Sequence, residues 1–320
     1  MNIKRPDNSY IKKRKINLNN LDKYDENKIK QATQFLENVI NKSYVSHFDN
    51  ISFLLNQDNN TLKELKNSGC INECKVLKKQ LKKIGLKTYY ISCQANGFSN
   101  PAGDSLVKEA HVFLLYPSIK NNKIYFTIFD PGFRMTKPVS FFDKKDSANF
   151  DYANGLVKVN FIGKNSNYPY ELTSNKRFDY KHQIKDANIH WNFNPYYQTL
   201  NIDEFGEKLY HAMFSLKLMN FPTDINQYLC IRAKILDKEL EIYTTTKNEI
   251  LSFEYLSKLD LKKLKDIFQE YFFNAKLDSK KLNIFVNNLY LLLHNVEKYI
   301  CEIIYSKVIE DYKLGNKLNR

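Results

Sequence analysis

One cysteine, one histidine and one aspartate stand in this chain in the order and local settings that thiol chemistry requires. Cys70, Cys74, Leu77, Leu81 and Ile84 fall at i, i+4, i+7, i+11 and i+14, the apolar stripe of a helix, with Lys75, Lys78, Lys79, Lys82 and Lys83 on the other face. Gly69 precedes the stripe, Ser68 is placed to cap it and Gly85 to end it, so Cys70 opens the helix. A thiol of ordinary pKa, about 8.5, is mostly protonated at neutral pH; a helix N-terminus and a neighbouring imidazole favour the thiolate. Nucleophilic catalysis then needs a base, and a third group that orients the base.

Two β-branched and aromatic runs offer both. Val112–Tyr116 and Ile124–Phe129 flank the segment PSIKNN and read as an antiparallel hairpin. Pairing Tyr116 with Tyr125 predicts His111 directly opposite Asp130 at the open end, with Cβ atoms about 4.5–5.5 Å apart. A carboxylate there would fix the imidazole tautomer, and Pro131 and Gly132 end the strand. Taken singly, a cysteine on a helix stripe is most often core (as Cys74 is expected to be), a histidine at a strand start is satisfied or exposed, and an aspartate before Pro-Gly forms a turn. Their conjunction points to a triad of Cys70, His111 and Asp130. Phe133, just after the aspartate, reads either as an apolar wall for an acceptor or as ordinary core.

The elements that must position these residues follow from periodicity. Ile29, Phe35, Leu36, Val39 and Ile40 recur at helical spacing within 25–55, and Leu62–Leu65 reads as a short helical piece. Strands follow at Thr88–Cys93, Gly155–Gly163, Phe178–His182 and Ile189–Phe193, and the stretch 94–110 reads as a polar loop. A helical pattern over Ile202–Leu218 precedes strands near Tyr228–Ile235 and Leu240–Tyr243, and the chain ends in helices over Leu259–Phe268 and Leu282–Ile304. Helices first, a β-rich middle and helices last make an α+β chain.

Composition narrows the classes. The 320 residues are 43% hydrophobic, enough to bury a core, and 49 Lys+Arg against 35 Asp+Glu give a net charge of +14. That charge raises nucleic acid and anionic cofactors as partners, but no RNA-binding or zinc-finger pattern interleaves the lysines with aromatics, so nucleic acid is not favoured. The basic run Lys12–Lys15 reads as a solvated arm. No membrane-length apolar run and no secretory apolar region occur. Five unpaired-looking cysteines (Cys70, Cys74, Cys93, Cys230, Cys301) suit a reducing, cytoplasmic compartment, and six scattered histidines offer no metal spacing.

The segments GCINECKVLKKQLKKIGLKTYYIS, HVFLLY and IYFTIFDPGF resemble the Cys-His-Asp core of the papain- and transglutaminase-like proteins and, more closely, of the arylamine N-acetyltransferase family. Phe48-Asp49-Asn50-Ile51 resembles that family's Phe-Glu-Asn-Leu, and Asp130-Pro131-Gly132-Phe133 its Asp-Val-Gly-Phe, with Pro138 beyond. Trp191–Phe193, Glu204-Phe205 and the helix near 259–268 fit its later course, so the resemblance spans roughly 10–278. Where the family has Arg-Gly-Gly-x-Cys-x-Glu, this chain reads Lys66-Asn67-Ser68-Gly69-Cys70-Ile71-Asn72, with Glu73 one place later.

The resemblance implies a helical domain over 1–86 carrying the nucleophile helix and a β-barrel over 87–200 carrying His111 and Asp130. It further implies an α/β lid over 201–278, and 279–320 is left as a helical extension. It implies an acyltransferase that moves an acetyl or other acyl group from a coenzyme A thioester to a small amine acceptor through an acyl-Cys70 intermediate, without a metal. Two alternatives stay open: a transglutaminase-like protease, amidase or deamidase acting on protein, and an inactive relative whose basic surface binds nucleic acid or protein.

Overall fold

In the computed structural model, which describes residues 11–42, 44–56, 69–95, 109–178, 184–211, 215–220 and 224–300, the basic segment near the start is not a free arm. Lys13–Lys15 form a strand (β1), because the backbone there pairs with another strand while Lys13 reaches in to Glu109 at 2.6 Å. Helix α1 (Glu26–Asn41) starts at Asp25, whose carboxylate accepts from the Lys28 amide, and buries the Ile29, Leu36, Val39 and Ile40 face. A strand β2 (Tyr44–Ser46), a 3₁₀ turn at Phe48–Asn50 and a helix α2 (Ile51–Asn56) divide what the sequence reads as one helical stretch. Helix α3 (Cys70–Lys83) matches the expected stripe: Cys74, Leu77 and Leu81 are fully buried, and Gly85 ends the helix at φ +77°. The expected Ser68 cap, the Leu62–Leu65 piece, most of the 94–110 loop and Cys301 lie outside the described residues.

Strands β3 (Tyr89–Ala95), β4 (Glu109–Lys120), β5 (Lys123–Phe129), β6 (Val139–Phe142), β7 (Ser147–Asp151), β8 (Gly155–Phe161), β9 (Tyr170–Phe178) and β10 (Ile184–Phe193) form one antiparallel sheet in the order β6-β5-β4-β3-β10-β9-β8-β7. Its two edge strands meet through the short β6–β7 connection, where the Ser147 hydroxyl donates to the Ser140 carbonyl at 2.8 Å, and the sheet curls into a nearly closed barrel. Its interior is aromatic, with Phe113, Phe126, Phe141, Tyr170, Trp191 and Phe193 packed together. After β11 (Tyr197–Thr199), which pairs with β1, comes α4 (Ile202–His211).

The helical pattern read over Ile202–Leu218 stops there. Ser215–Asn220 is instead a strand, β12, with Leu216 and Leu218 on its buried face and β13 (Leu229–Lys234) as its neighbour. With β14 (Glu239–Thr244) and β15 (Asn248–Ser252) it makes a five-stranded sheet, β15-β14-β13-β12-β2. Helices α5 (Phe253–Ser257), α6 (Leu261–Asn274) and α7 (Ser279–His294) follow; aspartates 260 and 278 cap the last two by accepting from the third following amide.

One apolar core joins α1, α3, the second sheet, α6 and α7, from Ile29 to Tyr299. Strand β4 lies between this core and the barrel interior. Val112, Leu114 and Tyr116 face the first, while Phe113 and Leu115 face the second. A strand buried on both faces reads as a continuous apolar run, which is why HVFLLY shows no alternation.

Candidate active site

The hairpin that carries His111 and Asp130 forms, with a tighter turn and a shifted register. Asn121 and Asn122 make a two-residue turn at φ +53° and +57°, conformations asparagine tolerates better than most residues. Ser118 therefore pairs with Tyr125 and Leu114 with Phe129, two residues away from the expected Tyr116–Tyr125 pairing. His111 is not directly opposite Asp130 on the ladder. Its cross-strand neighbour is Cys93 on β3, beside a bulge between Cys93 and Gln94.

Asp130 reaches the imidazole because the chain turns back just after β5. The Met135 amide donates to the Asp130 carbonyl at 3.1 Å, and the Phe133 amide donates to Asp130 Oδ1 at 2.9 Å. This leaves Oδ2 at 2.7 Å from His111 Nε2, with the carboxylate fully buried. The Cys70 side chain lies beside the imidazole, near enough for its sulfur to raise the histidine's pKa. The structure thus brings together all three residues expected from the sequence.

Gly132 explains how close they come. A Cβ built on it would lie 2.4 Å from Cys70 Cβ, 2.8 Å from Cys70 Cα and 3.1 Å from His111 Cε1. No side chain fits there, so the loop after Asp130 is pressed directly against the thiol-bearing helix. On the helix side, Gly69 sits at φ +62°, which lets the chain enter α3 with Cys70 as its first residue and without a side-chain cap. The first-turn amides of a helix have no partner within it and are available to a developing oxyanion.

Three further contacts hold this arrangement. Trp191 stacks on His111 with ring centroids 4.7 Å apart and planes 25° from parallel. Arg134, itself at φ +61°, donates through Nη1 to Glu73 Oε1 at 2.8 Å and to the Pro131 carbonyl at 3.3 Å, joining the Asp130 loop to α3 through a buried ion pair. Buried Asp151 accepts from the Lys137, Ala153 and Asn154 amides, and the Asn154 side chain donates to the Phe133 carbonyl at 3.3 Å. Phe133 points into the barrel core and is 7% exposed. Trp191 enters the sequence reading only as part of a family-like run. Nothing local marks Arg134 and Glu73 as partners, because they lie 61 residues apart.

The electrostatics favour a protonated imidazole. Burial alone would lower the His111 pKa, but the Asp130 carboxylate and the Cys70 sulfur outweigh it and raise the value above that of a free histidine. Elsewhere burial pushes thiols up: Cys74 and Cys93 lie well above the ordinary range, and Cys230 is raised to about 11. The lysine face of α3 is only partly a solvated one. Lys75 pairs with Asp203, and Lys78, half-buried with a lowered pKa, lies 3.9 Å over the Tyr90 ring. A groove of about 720 Å³ runs along α3 from Gly69, with Lys42, Lys79 and Lys83 on its walls. Among the described residues, no cluster of three or more His, Cys, Asp or Glu side chains could hold a metal, and no helix is long and apolar enough to cross a membrane.

No protein-family model and no curated protein matches this chain. Solved structures do, arylamine N-acetyltransferases among them. The enzyme from Mycobacterium abscessus is similar at 10% identity over 83% of this chain and 91% of that one, with a TM-score of 0.48. Arylamine N-acetyltransferase C from Bacillus anthracis is similar at 13% identity over 77% and 91%, with a TM-score of 0.47. The Mycobacterium marinum enzyme in complex with CoA is similar at 10% identity over 87% and 94%, with a TM-score of 0.46. The likeness is one of fold.

Proposed function

We propose that this protein is a thiol acyltransferase in which Cys70 is the nucleophile, His111 the general acid–base and Asp130 the residue that orients His111. The observation that carries this reading is the packing at Gly132. A glycine without room for a methyl group holds the Asp130 loop against Cys70, and the imidazole that Asp130 holds lies beside the thiol. A structural cysteine or histidine has no need of so close an approach.

The chemistry follows from these parts. The Cys70 sulfur attacks the carbonyl carbon of an acyl thioester, and the oxyanion is met by backbone amides at the start of α3. The carbon–sulfur bond to the donor breaks, the leaving thiol takes a proton from His111, and the acyl group stays on Cys70. An amine acceptor then attacks the acyl carbon and gives its proton to His111, and the Cys70 thiolate leaves. Asp130 stabilises the imidazolium in both half-reactions. Phe133, packed into the barrel core, anchors the loop that carries Asp130.

A coenzyme A thioester is the proposed donor. Thiol–thioester exchange replaces one thioester with another at little cost, and the groove along α3, with Lys42, Lys79 and Lys83 on its walls, puts positive charge for an anionic donor on the helix that carries Cys70. No metal takes part in this scheme. Incubation with acetyl-CoA followed by intact-mass measurement tests the reading: the protein gains one acetyl group, and Cys70→Ala gains none. An unmodified wild-type protein, or an adduct that persists in Cys70→Ala, contradicts it.

A further inference from the structure

We propose that a second cleft, at the barrel mouth, binds a nucleoside phosphate through Glu109. This cleft of about 1020 Å³ shares no lining residue with the α3 groove. It opens between β1, the β8–β9 connection and the segment after β10.

Glu109 lies on its wall and is 1% exposed. One carboxylate oxygen is doubly held, by Lys13 Nζ at 2.6 Å and by the Tyr168 hydroxyl at 2.5 Å. The other, Oε2, is buried without a hydrogen-bond partner among the described residues. A buried carboxylate oxygen left unpaired is costly, and two neighbours already fix the orientation of this one. The group that completes it is therefore a donor, and the cleft is the space from which a ligand supplies one.

The rest of the wall narrows the ligand. Asp143 is spoken for by the Tyr170 and Tyr196 hydroxyls at 2.8 and 2.6 Å and by Lys144 at 3.5 Å, so it does not compete. Lys15 and Lys164, both exposed on the rim, carry no ion pair among the described residues and present uncompensated positive charge. Tyr197 offers a partly exposed aromatic face. A carboxylate that accepts from ribose hydroxyls, a pair of lysines for a phosphate and a ring for a base together describe a nucleoside phosphate. The assignment does not depend on Cys70 being reactive.

Calorimetric titration of the full chain with AMP tests it, with adenosine and inorganic phosphate as the separated halves. AMP is expected to bind saturably at one site and more tightly than either half. Binding is expected to weaken about tenfold or more in Glu109→Gln and in Lys164→Ala, and to be unchanged in Cys70→Ala. Thermal melting by circular dichroism establishes that Glu109→Gln is folded; if it is not, the exposed Lys164→Ala variant decides. No saturable AMP binding at millimolar concentration overturns the proposal. So does phosphate binding as tightly as AMP, or AMP binding that a folded Glu109→Gln and Lys164→Ala leave unchanged.

Discussion

At its closed end the β4–β5 hairpin turns on two left-handed asparagines and pairs residue for residue from Lys120 with Lys123 to Leu114 with Phe129. At its open end the ladder stops, and Asp130 comes to His111 through a loop fixed by the Phe133 and Met135 amides, by the Arg134–Glu73 ion pair and by the bare backbone of Gly132. The closed end is held by regular backbone pairing, which tolerates side-chain change because the ladder itself sets the geometry. The open end is held by individual side-chain contacts, each of which sets a distance in the proposed triad. Stability should therefore respond at both ends, and reactivity at only one.

The sharpest way to break that contrast is at Gly132. Gly132→Ala puts a methyl group into the space held by Cys70 and His111, and a displacement on the order of 1 Å costs roughly 100-fold in rate. Acyl transfer, or Cys70 alkylation in its place, is expected to fall by at least about that factor, while the melting temperature of the variant reports the change in stability. A variant that keeps full reactivity would mean that the loop does not set the geometry.

Arg134→Met leaves Glu73 buried without its guanidinium partner, and truncating one member of a buried pair costs about 3–5 kcal/mol. Urea denaturation is expected to show a loss of that order, and Arg134→Met combined with Glu73→Leu to recover much of it. Reactivity should stay low in both variants, because the double replacement restores packing but not the bond from Arg134 to the Pro131 carbonyl.

A smaller effect comes from His47, whose ring nitrogen accepts from the Lys217 amide at 3.2 Å between the second sheet and the entry to α3. Burial, with the Lys217 charge, lowers its pKa to about 3 from the ordinary 6.5. The folded protein thus holds the neutral form. Its contribution to stability is complete above pH 6.5 and is lost as pH falls from there toward about 3. His111, with its pKa raised, runs the other way and loses its contribution on the alkaline side. Denaturation midpoints measured from pH 7 to pH 4 are expected to fall less steeply in His47→Gln than in the wild type.

The smallest effect is expected at the closed end. Asn122→Gly relieves the left-handed residue of the turn and should stabilise the fold by less than about 1 kcal/mol without altering the labelling rate of Cys70. A change in labelling rate would show that the two ends are coupled.

The contrast also explains what the sequence made legible. The α3 stripe, its stop at Gly85 and the barrel strands around HVFLLY are local patterns, and each is present in the structure. The sequence places the hairpin register two residues off because PSIKNN reads as a loop. In fact Pro117–Lys120 continue the strand, and only the two asparagines turn. Lys13–Lys15 reads as a solvated arm because both of its partners lie far along the chain: Tyr197–Thr199 for the backbone and Glu109 for the Lys13 side chain. Ser215–Asn220 carried the end of a helical pattern and became a strand through its neighbours β13 and β2. Gly132, Trp191 and the Arg134–Glu73 pair act by contact across long sequence separations, which periodicity does not encode.

Cys70 should be the most reactive thiol among the described cysteines, and site-resolved mass spectrometry after limited iodoacetamide treatment at pH 6 tests this most directly. Burial raises the pKa of the thiols of Cys74, Cys93 and Cys230 and shields them, so they should remain unlabelled while Cys70 reacts first. His111→Ala should abolish that preference. Equal, slow labelling of all the cysteines, or a Cys70 rate that His111→Ala leaves unchanged, would contradict the proposed thiol–imidazole–carboxylate site.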